Sequence, residues 1–281
     1  MKKSMYKKKI NIKKLITTIV LGLFILTMLF PLLWMLSTSF KLEIDVFNFP
    51  IEWIPPKFTL NNYIKIWRGN YNFPLYYWNT IKVTVLVVLI QIVISSMAAY
   101  AFAKLDFKFK NLLFSIFLAT MMIPDQVTLV PRFMLLTKMQ LLNSHFGLVL
   151  MLSFSVYGVF LLRQSMIALP DTIIEAAKID GANHFIIFIR IVLPMTKSII
   201  ATLAILRFVW TWNDYQNPLI FLRDNKLFTL QLGMQQFASV SGTFYSLLMA
   251  ASVCAIVPLL LVFIIGQNYV IEGIASGAVK G

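Results

Sequence analysis

The chain has 281 residues, of which 59% are hydrophobic and only 13% are charged, and its mean hydropathy is +0.80. Water-soluble domains carry about 25% charged and about 45–50% apolar residues, so this composition excludes an ordinary soluble protein and indicates a polytopic membrane protein. The single cysteine, Cys254, excludes an intrachain disulfide and a metal site built from several cysteines.

The net charge of +14 is concentrated at the start of the chain. Seven of the 25 Lys and Arg residues lie within residues 1–14, directly before an uncharged run at 15–40. This order is typical of a cytoplasmic anchor under the positive-inside rule. A nucleic-acid-binding arm would not continue into a membrane-length apolar segment. A cleaved signal peptide would have a shorter apolar core of about 7–15 residues.

Six apolar segments approach the ~20 residues that a helix needs to cross a bilayer. The predicted spans are 15–38, 83–103, 111–124, 142–162, 198–221 and 247–269. The third span has only fourteen residues before Asp125, so we expect its outer end to continue as an interfacial turn. The fold class is therefore predicted as all-α, a polytopic membrane protein with six transmembrane helices.

The distribution of basic residues predicts the orientation. The tail and loops on the N-terminal side hold 15 Lys and Arg residues against 9 on the opposite side, with Arg207 inside a span. Both termini are therefore predicted to be cytoplasmic. The predicted regions are a basic cytoplasmic tail (1–14), a first helix (15–38), an extracytoplasmic loop (39–78), a membrane core (79–270) with a cytoplasmic loop (163–198), and a cytoplasmic C-terminal tail (271–281).

The sequence has no motif for catalysis or nucleotide binding. The G-x-x-x-x-G-K-[ST] phosphate loop and the H-E-x-x-H metal motif are absent, and the two histidines, His145 and His184, are 39 positions apart. We therefore predict no catalytic residue, no metal site and no cofactor bound by this chain, which we do not expect to be an enzyme.

The cytoplasmic loop at 163–198 has too many charges to cross the membrane and too many apolar residues for a free loop. Thr172 and Glu175 have the spacing of a capping box, and Asp171 would support the helix dipole. Ile173, Ala176, Ala177 and Asp180 would then line one helical face. Gly181 supplies the left-handed conformation that ends a helix.

A second amphipathic helix is predicted directly afterwards. Phe185, Phe188, Ile189 and Val192 follow at the i, i+3, i+4 and i+7 spacing of one helical face. We expect this helix to stop before Pro194, because the residue before a proline disfavours the helical conformation. Two short helices with apolar faces indicate a partner on the cytoplasmic side.

The same segment resembles the EAA signature of ABC importer permeases. Glu175-Ala176-Ala177, three residues, Gly181, nine residues and Ile191-x-Leu193-Pro194 match the signature at every defined position. Further segments resemble the second permease subunit of the maltose-type carbohydrate importers, namely residues 122–131, 160–164, 212–214, 218–220 and 277–281. The resemblance covers nearly the whole chain and implies the type I ABC importer permease fold, with 79–270 as the permease core.

The resemblance also implies partners and a function. The chain would carry a carbohydrate (a mono- or oligosaccharide or related polyol) across the bacterial cytoplasmic membrane, beside a homologous second permease subunit. Two cytoplasmic ATPase subunits would bind ATP and Mg, and an extracytoplasmic solute-binding protein would deliver the sugar. The implied ATPase-coupling residues are Glu175, Ala176, Ala177, Asp180, Gly181, Ile191, Leu193 and Pro194. Glu175 would face a basic residue of the ATPase, and Gly181 would make the bend.

Arg207 is the only clear charge well inside a predicted span, and Asp214 lies two helical turns further along the same face. A lone arginine near the bilayer centre is costly, so Arg207 should face protein or water. Two interpretations stay open. One is an intramembrane structural contact between these charges or with a partner, and the other is a polar lining of the sugar pathway by Arg207, Trp210, Asn213 and Asp214.

Other classes of protein are not excluded by the sequence alone. An ion-coupled secondary transporter would usually show inverted repeats with broken helices, which the sequence lacks. A membrane enzyme would need a cluster of titratable groups within its spans. An importer of the same class with a non-sugar substrate also remains. The polar outer loop at 223–243 is either a probe of the solute-binding protein or an ordinary connection.

Overall fold

The computed structural model describes residues 12–239 and 242–278, with side chains over 12–237 and 242–269. The helices are α1 (Ile12–Ser39), α2 (Asn61–Arg68), α3 (Phe73–Lys104), α4 (Lys110–Ala119), α5 (Asp125–Lys138), α6 (His145–Leu152), α7 (Val156–Ile167), α8 (Asp171–Ile179), α9 (His184–Ile187), α10 (Leu193–Met195), α11 (Lys197–Trp212), α12 (Gln216–Phe221), α13 (Leu230–Gly233) and α14 (Tyr245–Ala278). The predicted all-α class is confirmed, with one small addition. Strands β1 (Ala238–Ser239) and β2 (Gly242–Thr243) form a two-residue antiparallel hairpin.

Within these residues, three helices are long and apolar enough to cross a membrane, namely α1, α3 and the part of α14 up to Tyr269. Three further pairs pass the same test together but are bent between their halves. The pairs are Lys110–Met122 with α5 (102°), α6 with α7 (43°), and His184–Met195 with α11 (76°). Counting each pair as one span gives six candidate spans, the number predicted from hydropathy.

The first two bends occur where the backbone hydrogen bonds of one helix end and a new helix starts. After Ile123, Pro124 is the N-cap of α5 and has no N–H to continue the preceding helix. The expected interfacial turn is therefore a complete helix of 14 residues. Between α6 and α7, the Ser155 side chain accepts a hydrogen bond from the N–H of Gly158 at 3.1 Å and starts a new helix.

Several boundaries differ from the predicted regions. Helix α14 continues to Ala278, so residues 271–278 of the predicted C-terminal tail are helical. Helix α3 begins at Phe73, so residues 73–78, which we assigned to the outer loop, are helical. Helix α7 continues to Ile167, five residues beyond the predicted end of the fourth span. The predicted basic tail lies outside the described residues over 1–11, as do residues 279–281 of the C-terminal tail.

Contacts divide the chain into two compact units, residues 1–71 with 237–254 and residues 72–236 with 255–281. The first unit is organised around polar side chains next to α2. The buried Asn62 amide donates to the carbonyl oxygens of Ser39 at 2.9 Å and Lys41 at 2.8 Å. The Glu43 carboxylate accepts from the N–H groups of Tyr245 and Ser246, each at 2.8 Å, and so caps the first turn of α14.

The second unit is built on close packing of α3 with α7 and α11. Val159 and Leu162 of α7 and Leu203 of α11 are buried in the same apolar cluster as Ala99. A Cβ atom at Gly158 would lie 3.1 Å from the Ser95 hydroxyl, so the absent side chain allows α3 and α7 to approach. Small residues favour such close contacts between membrane helices.

The second unit has a further apolar cluster. Its buried members are Val83, Val87, Leu136, Leu148, Val149, Phe221 and Leu222. Over the described residues 223–239, the predicted outer loop is folded rather than extended, with 3₁₀ turns at Asn225–Leu227 and Met234–Phe237 on either side of α13. Leu230 is buried, and its N–H donates to the Thr80 hydroxyl of α3 at 2.7 Å. Whether this loop contacts a binding protein stays a prediction.

Candidate functional site

The segment that carries the signature motif, here called the signature loop (residues 168–196), contains two short helices joined at a glycine. Gly181 has φ +82°, a left-handed conformation. The N–H of Gly181 donates to the Lys178 carbonyl oxygen at 3.0 Å, and the N–H of Ala182 donates to that of Ala177 at 2.9 Å. This is the Schellman type of helix end. The predicted role of Gly181 in ending the first helix is confirmed.

The predicted capping box is wrong. Helix α8 starts at Asp171 with Pro170 as its N-cap and no side-chain cap, so Thr172 lies inside the helix. With Pro170 as the N-cap, the helix starts two residues earlier than the Thr172–Glu175 spacing requires. Glu175 is exposed, and it is therefore not committed to capping α8.

The second helix also differs from the prediction. It begins after Asn183, whose side chain accepts from the N–H of Ile186 at 2.9 Å, but it continues past Pro194 to Met195. A π-helical turn at Phe188–Val192 ends two residues before the proline. Proline lacks the N–H that an α-helix needs, and the wider π turn is one way to accommodate that loss. The 76° bend then follows at Thr196.

The apolar face predicted for the second helix is divided between core and surface. Phe185 is 66% exposed and Ile189 is 44% exposed, whereas Phe188 and Val192 are buried. The 3.6-residue period identified the face but could not show that α3 and α7 cover half of it. In α8, sequence reasoning missed Ile179, which is 87% exposed.

Some of the predicted coupling residues lie on the exposed face of the signature loop, and others lie on its partly buried face. Glu175, Ala176, Asp180, Gly181 and Pro194 are exposed, and Ala177, Ile191 and Leu193 are partly buried. Ala177 and Leu193 pack against the apolar cluster that contains the buried Ile174. The signature loop therefore has an inner face packed on α3 and α7 and an outer face that no described residue covers.

Three side chains join the signature loop and α7 to the end of α3. Lys104 donates to the Leu169 carbonyl oxygen at 2.9 Å and to the Asp171 carboxylate at 2.6 Å. This hydrogen bond and charge hold the pKa of the Asp171 carboxyl below its usual value. The Tyr100 hydroxyl lies 3.2 Å from Nδ1 of His184, and the Arg163 side chain donates to the Phe102 carbonyl oxygen at 3.1 Å. None of these α3 contacts was predicted.

A second candidate site surrounds Arg207. Here called the Arg207 cavity, it has a volume of about 240 Å³ and is lined by Asp125, Leu152, Arg207, Trp210, Thr211, Asp214 and Asn217. The Arg207 guanidinium donates to the Leu152 carbonyl oxygen. The Asp214 carboxylate accepts from the backbone N–H of Asn217 at 3.1 Å and from its side-chain amide at 2.8 Å. Arg207, Trp210 and Asp214 are thus brought together, but Asn213 does not line the cavity.

Arg207 and Asp214 of the Arg207 cavity are not ion-paired with each other. Within the described residues, the ion pairs are Lys104–Asp171, Lys110–Asp106 and Arg132–Asp125. A direct ion pair between Arg207 and Asp214, one form of the structural contact considered from the sequence, is therefore absent, and a contact with a partner subunit stays a prediction. Each charge instead has a polar partner, the Leu152 carbonyl group for the arginine and Asn217 for the aspartate.

An adjoining cavity of about 560 Å³ shares Asp125 with the Arg207 cavity and includes Arg132, Phe154 and Tyr157 in its lining. The Tyr157 ring lies 6.0 Å from the Trp210 ring. Sequence reasoning did not assign Asp125, Arg132 or Tyr157 to a site. The signal for Asp125 was its place within the recognised segment at 122–131.

Comparison with known proteins identifies the family. The model for the "Binding-protein-dependent transport system inner membrane component" family matches residues 91–275. The arabinooligosaccharides transport system permease protein AraQ of Halalkalibacterium halodurans is 35% identical over 254 residues, which cover 90% of this chain and 91% of that protein. The melibiose/raffinose/stachyose import permease protein MelC of Bacillus subtilis is 32% identical over 260 residues, covering 89% and 91% of the two chains.

A solved structure supports the fold. A chain from the crystal structure of a bacterial ABC transporter that imports alginate superposes with a TM-score of 0.84 at 23% identity, covering 95% of this chain and 99% of that chain. The family match covers more than half of the chain, and the match to AraQ covers nine tenths of it. This chain therefore belongs to the family of binding-protein-dependent transport system inner membrane components, as a permease subunit of an ABC importer and not an enzyme.

Proposed function

We propose that this permease carries a carbohydrate inward through a pore that it forms with a homologous second permease subunit. The observation that carries the proposal is the complete EAA signature on an exposed helix–glycine–helix turn. Gly181 has a left-handed backbone conformation, and Glu175 is exposed and does not cap α8. The named relatives AraQ and MelC, whose names specify arabinooligosaccharides and melibiose, raffinose and stachyose, support a sugar as the substrate.

Two cytoplasmic ATPase subunits supply the energy in this proposal, with ATP and Mg bound by them. An extracytoplasmic solute-binding protein delivers the sugar, in keeping with the family's dependence on binding proteins. The outer face of the signature loop docks on an ATPase subunit. Its exposed residues Glu175, Ile179 and Phe185 offer one charge and two apolar side chains for that contact.

The Arg207 cavity is our candidate for part of the sugar pathway. Trp210 is 51% exposed and supplies an aromatic surface, while Arg207, Asp214 and Asn217 supply polar groups. Asp125 is paired with Arg132, which leaves Arg207 and Asp214 as one positive and one negative charge. This balance favours an uncharged saccharide over an anionic one.

Reconstitution tests the proposal. In proteoliposomes with the second permease, the ATPase subunits and the binding protein, we expect uptake of a labelled neutral oligosaccharide such as raffinose only when ATP is present on the ATPase side. An alginate oligosaccharide should be taken up far less, because its carboxylates would meet the negative charge of Asp214 as well as the positive charge of Arg207. Uptake driven by an ion gradient without ATP would instead establish the secondary-transport alternative.

The orientation is a further prediction, with both termini and the signature loop cytoplasmic. Lys138 and Lys178 are both exposed lysines, and we place Lys138 outside and Lys178 inside. In a Cys254→Ser background, Lys138→Cys should react with a membrane-impermeant maleimide in intact cells, and Lys178→Cys should react only after permeabilisation. The reverse labelling pattern would contradict the orientation.

A further inference from the structure

The lysine at the end of α3 is buried in an unusual way for a residue at a membrane boundary. The side chain of Lys104 is only 5% exposed, whereas that of its partner Asp171 is 76% exposed. Buried ammonium groups require hydrogen-bonded partners. Lys104 has two, the Leu169 carbonyl oxygen and the Asp171 carboxylate. Both acceptors lie at the start of the signature loop.

The same face of α3 reaches the other half of the loop. Tyr100 precedes Lys104 by one helical turn, so the two side chains share a face. The buried Tyr100 places its hydroxyl 3.2 Å from His184, the first residue of α9, and its ring lies 5.2 Å from that of Phe188. One turn of α3 thus contacts Leu169 and Asp171 at the start of α8 and His184 at the start of α9.

The signature loop is joined covalently to α7 and to α11. The connection to α11 and the neighbouring helix α3 differ in whether the helix is continuous. A π-helical turn at Phe188–Val192 and a 76° bend interrupt the helical path towards α11. By contrast, α3 is a continuous helix over Phe73–Lys104. Ile174, in the middle of α8, is also buried in the cluster that contains Ala99 and Tyr100 of α3.

We propose that Tyr100 and Lys104 form a clamp that fixes both helices of the signature loop to α3, so that the loop and α3 move together when the ATPase moves. The inference rests on the proposed coupling role of the loop. Lys104 is then a positioning residue. It does not touch the ATPase or the sugar, but it determines whether movement of α8 becomes movement of a membrane-spanning helix.

A simple anchoring lysine does not explain these contacts. Lys108, four residues further along the chain, is exposed, as expected for a positive charge at the membrane surface. Lys104 differs because it is buried and because one of its acceptors is a backbone carbonyl group. Lys108→Met therefore serves as the matched control for Lys104→Met.

The test measures sugar transported per ATP hydrolysed in the reconstituted transporter. Lys104→Met removes the charge and the donors, and it should lower this ratio about tenfold, within the usual range of coupling between two sites. The ATPase subunits should stay bound, because the exposed face of α8 is unchanged. Tyr100→Phe, which removes only the hydroxyl, should lower the ratio less, and Lys108→Met should leave it at the parental value.

A restoring experiment separates coupling from folding. In a Cys254→Ser background, Lys104→Cys with Asp171→Cys should be uncoupled. Joining the two thiols with a short, reducible bifunctional reagent should restore the ratio, and reduction should remove it again. If the cross-link blocks transport or leaves the ratio low, or if Lys104→Met transports at the parental ratio, the clamp is refuted. Failure of the parental transporter to use ATP would refute the proposed function instead.

Discussion

A Gly181→Val variant should insert in the membrane normally and lose most of its transport. Gly181 has φ +82°, and a β-branched side chain is strained in that region by about 1–2 kcal/mol. Apart from Gly181 and its two chain neighbours, no heavy atom lies within 4 Å of the position that a Cβ would take, so the cost comes from the local backbone and not from a collision with a more distant residue. The backbone relieves this strain by turning α9 relative to α8. This movement takes Phe185 away from its proposed contact with the ATPase.

Two control variants test whether the effect comes from the left-handed backbone at Gly181. A Cβ at Gly22 in α1 also has no neighbour within 4 Å, and Gly22 has no left-handed φ, so Gly22→Val should transport normally. Gly181→Asn should be milder than Gly181→Val, because asparagine tolerates the left-handed region. Uptake assays with protein amounts matched by membrane blotting measure the effect. A strain of 1–2 kcal/mol corresponds to a change of about 5–30-fold in a two-state population. Parental uptake by Gly181→Val would contradict the proposed role of the Gly181 bend in transport.

The sequence predicted the number and approximate positions of the spans because every backbone polar group in lipid must be bonded within a helix. That constraint requires long apolar segments in the sequence, but it does not determine where a span bends. The break before α7 depends on Ser155 as a cap, and the 102° turn before α5 depends on Pro124. Such local choices leave the hydropathy of a segment almost unchanged.

The candidate sites show the same limit. Gly181 was predictable because a left-handed helix end is a local property that glycine satisfies best. The burial of Phe188 was not predictable, because the helical period identifies an apolar face of the helix without showing which residues cover that face. Lys104 left no local pattern at all, because its partner Asp171 is 67 residues away in the chain. The apolar clusters and the Arg207 cavity likewise depend on contacts between distant helices.

Glu175→Lys should act through the partner and not through the fold of this chain. Glu175 is exposed on α8, and α8 has no side-chain cap, so its replacement leaves the contacts of the signature loop intact. We expect a basic residue of the ATPase opposite this carboxylate. A lysine here would set like charges at close range, where the interaction between two charges 4 Å apart is about 1–4 kcal/mol in water or near a protein surface.

The expected result is loss of the ATPase subunits during purification, or ATP hydrolysis without sugar uptake, with normal insertion of the permease. Thr172→Lys is the matched control, since Thr172 is also exposed on α8, one turn before Glu175, and is not part of the signature. It should retain the ATPase. Both variants place a lysine on the exposed side of the same helix, but Glu175→Lys changes the net charge by +2 and Thr172→Lys by +1, so loss of the ATPase in Glu175→Lys alone assigns the effect to replacement of the Glu175 carboxylate. If Glu175→Lys keeps its ATPase and transports at the parental rate, Glu175 does not face a basic partner.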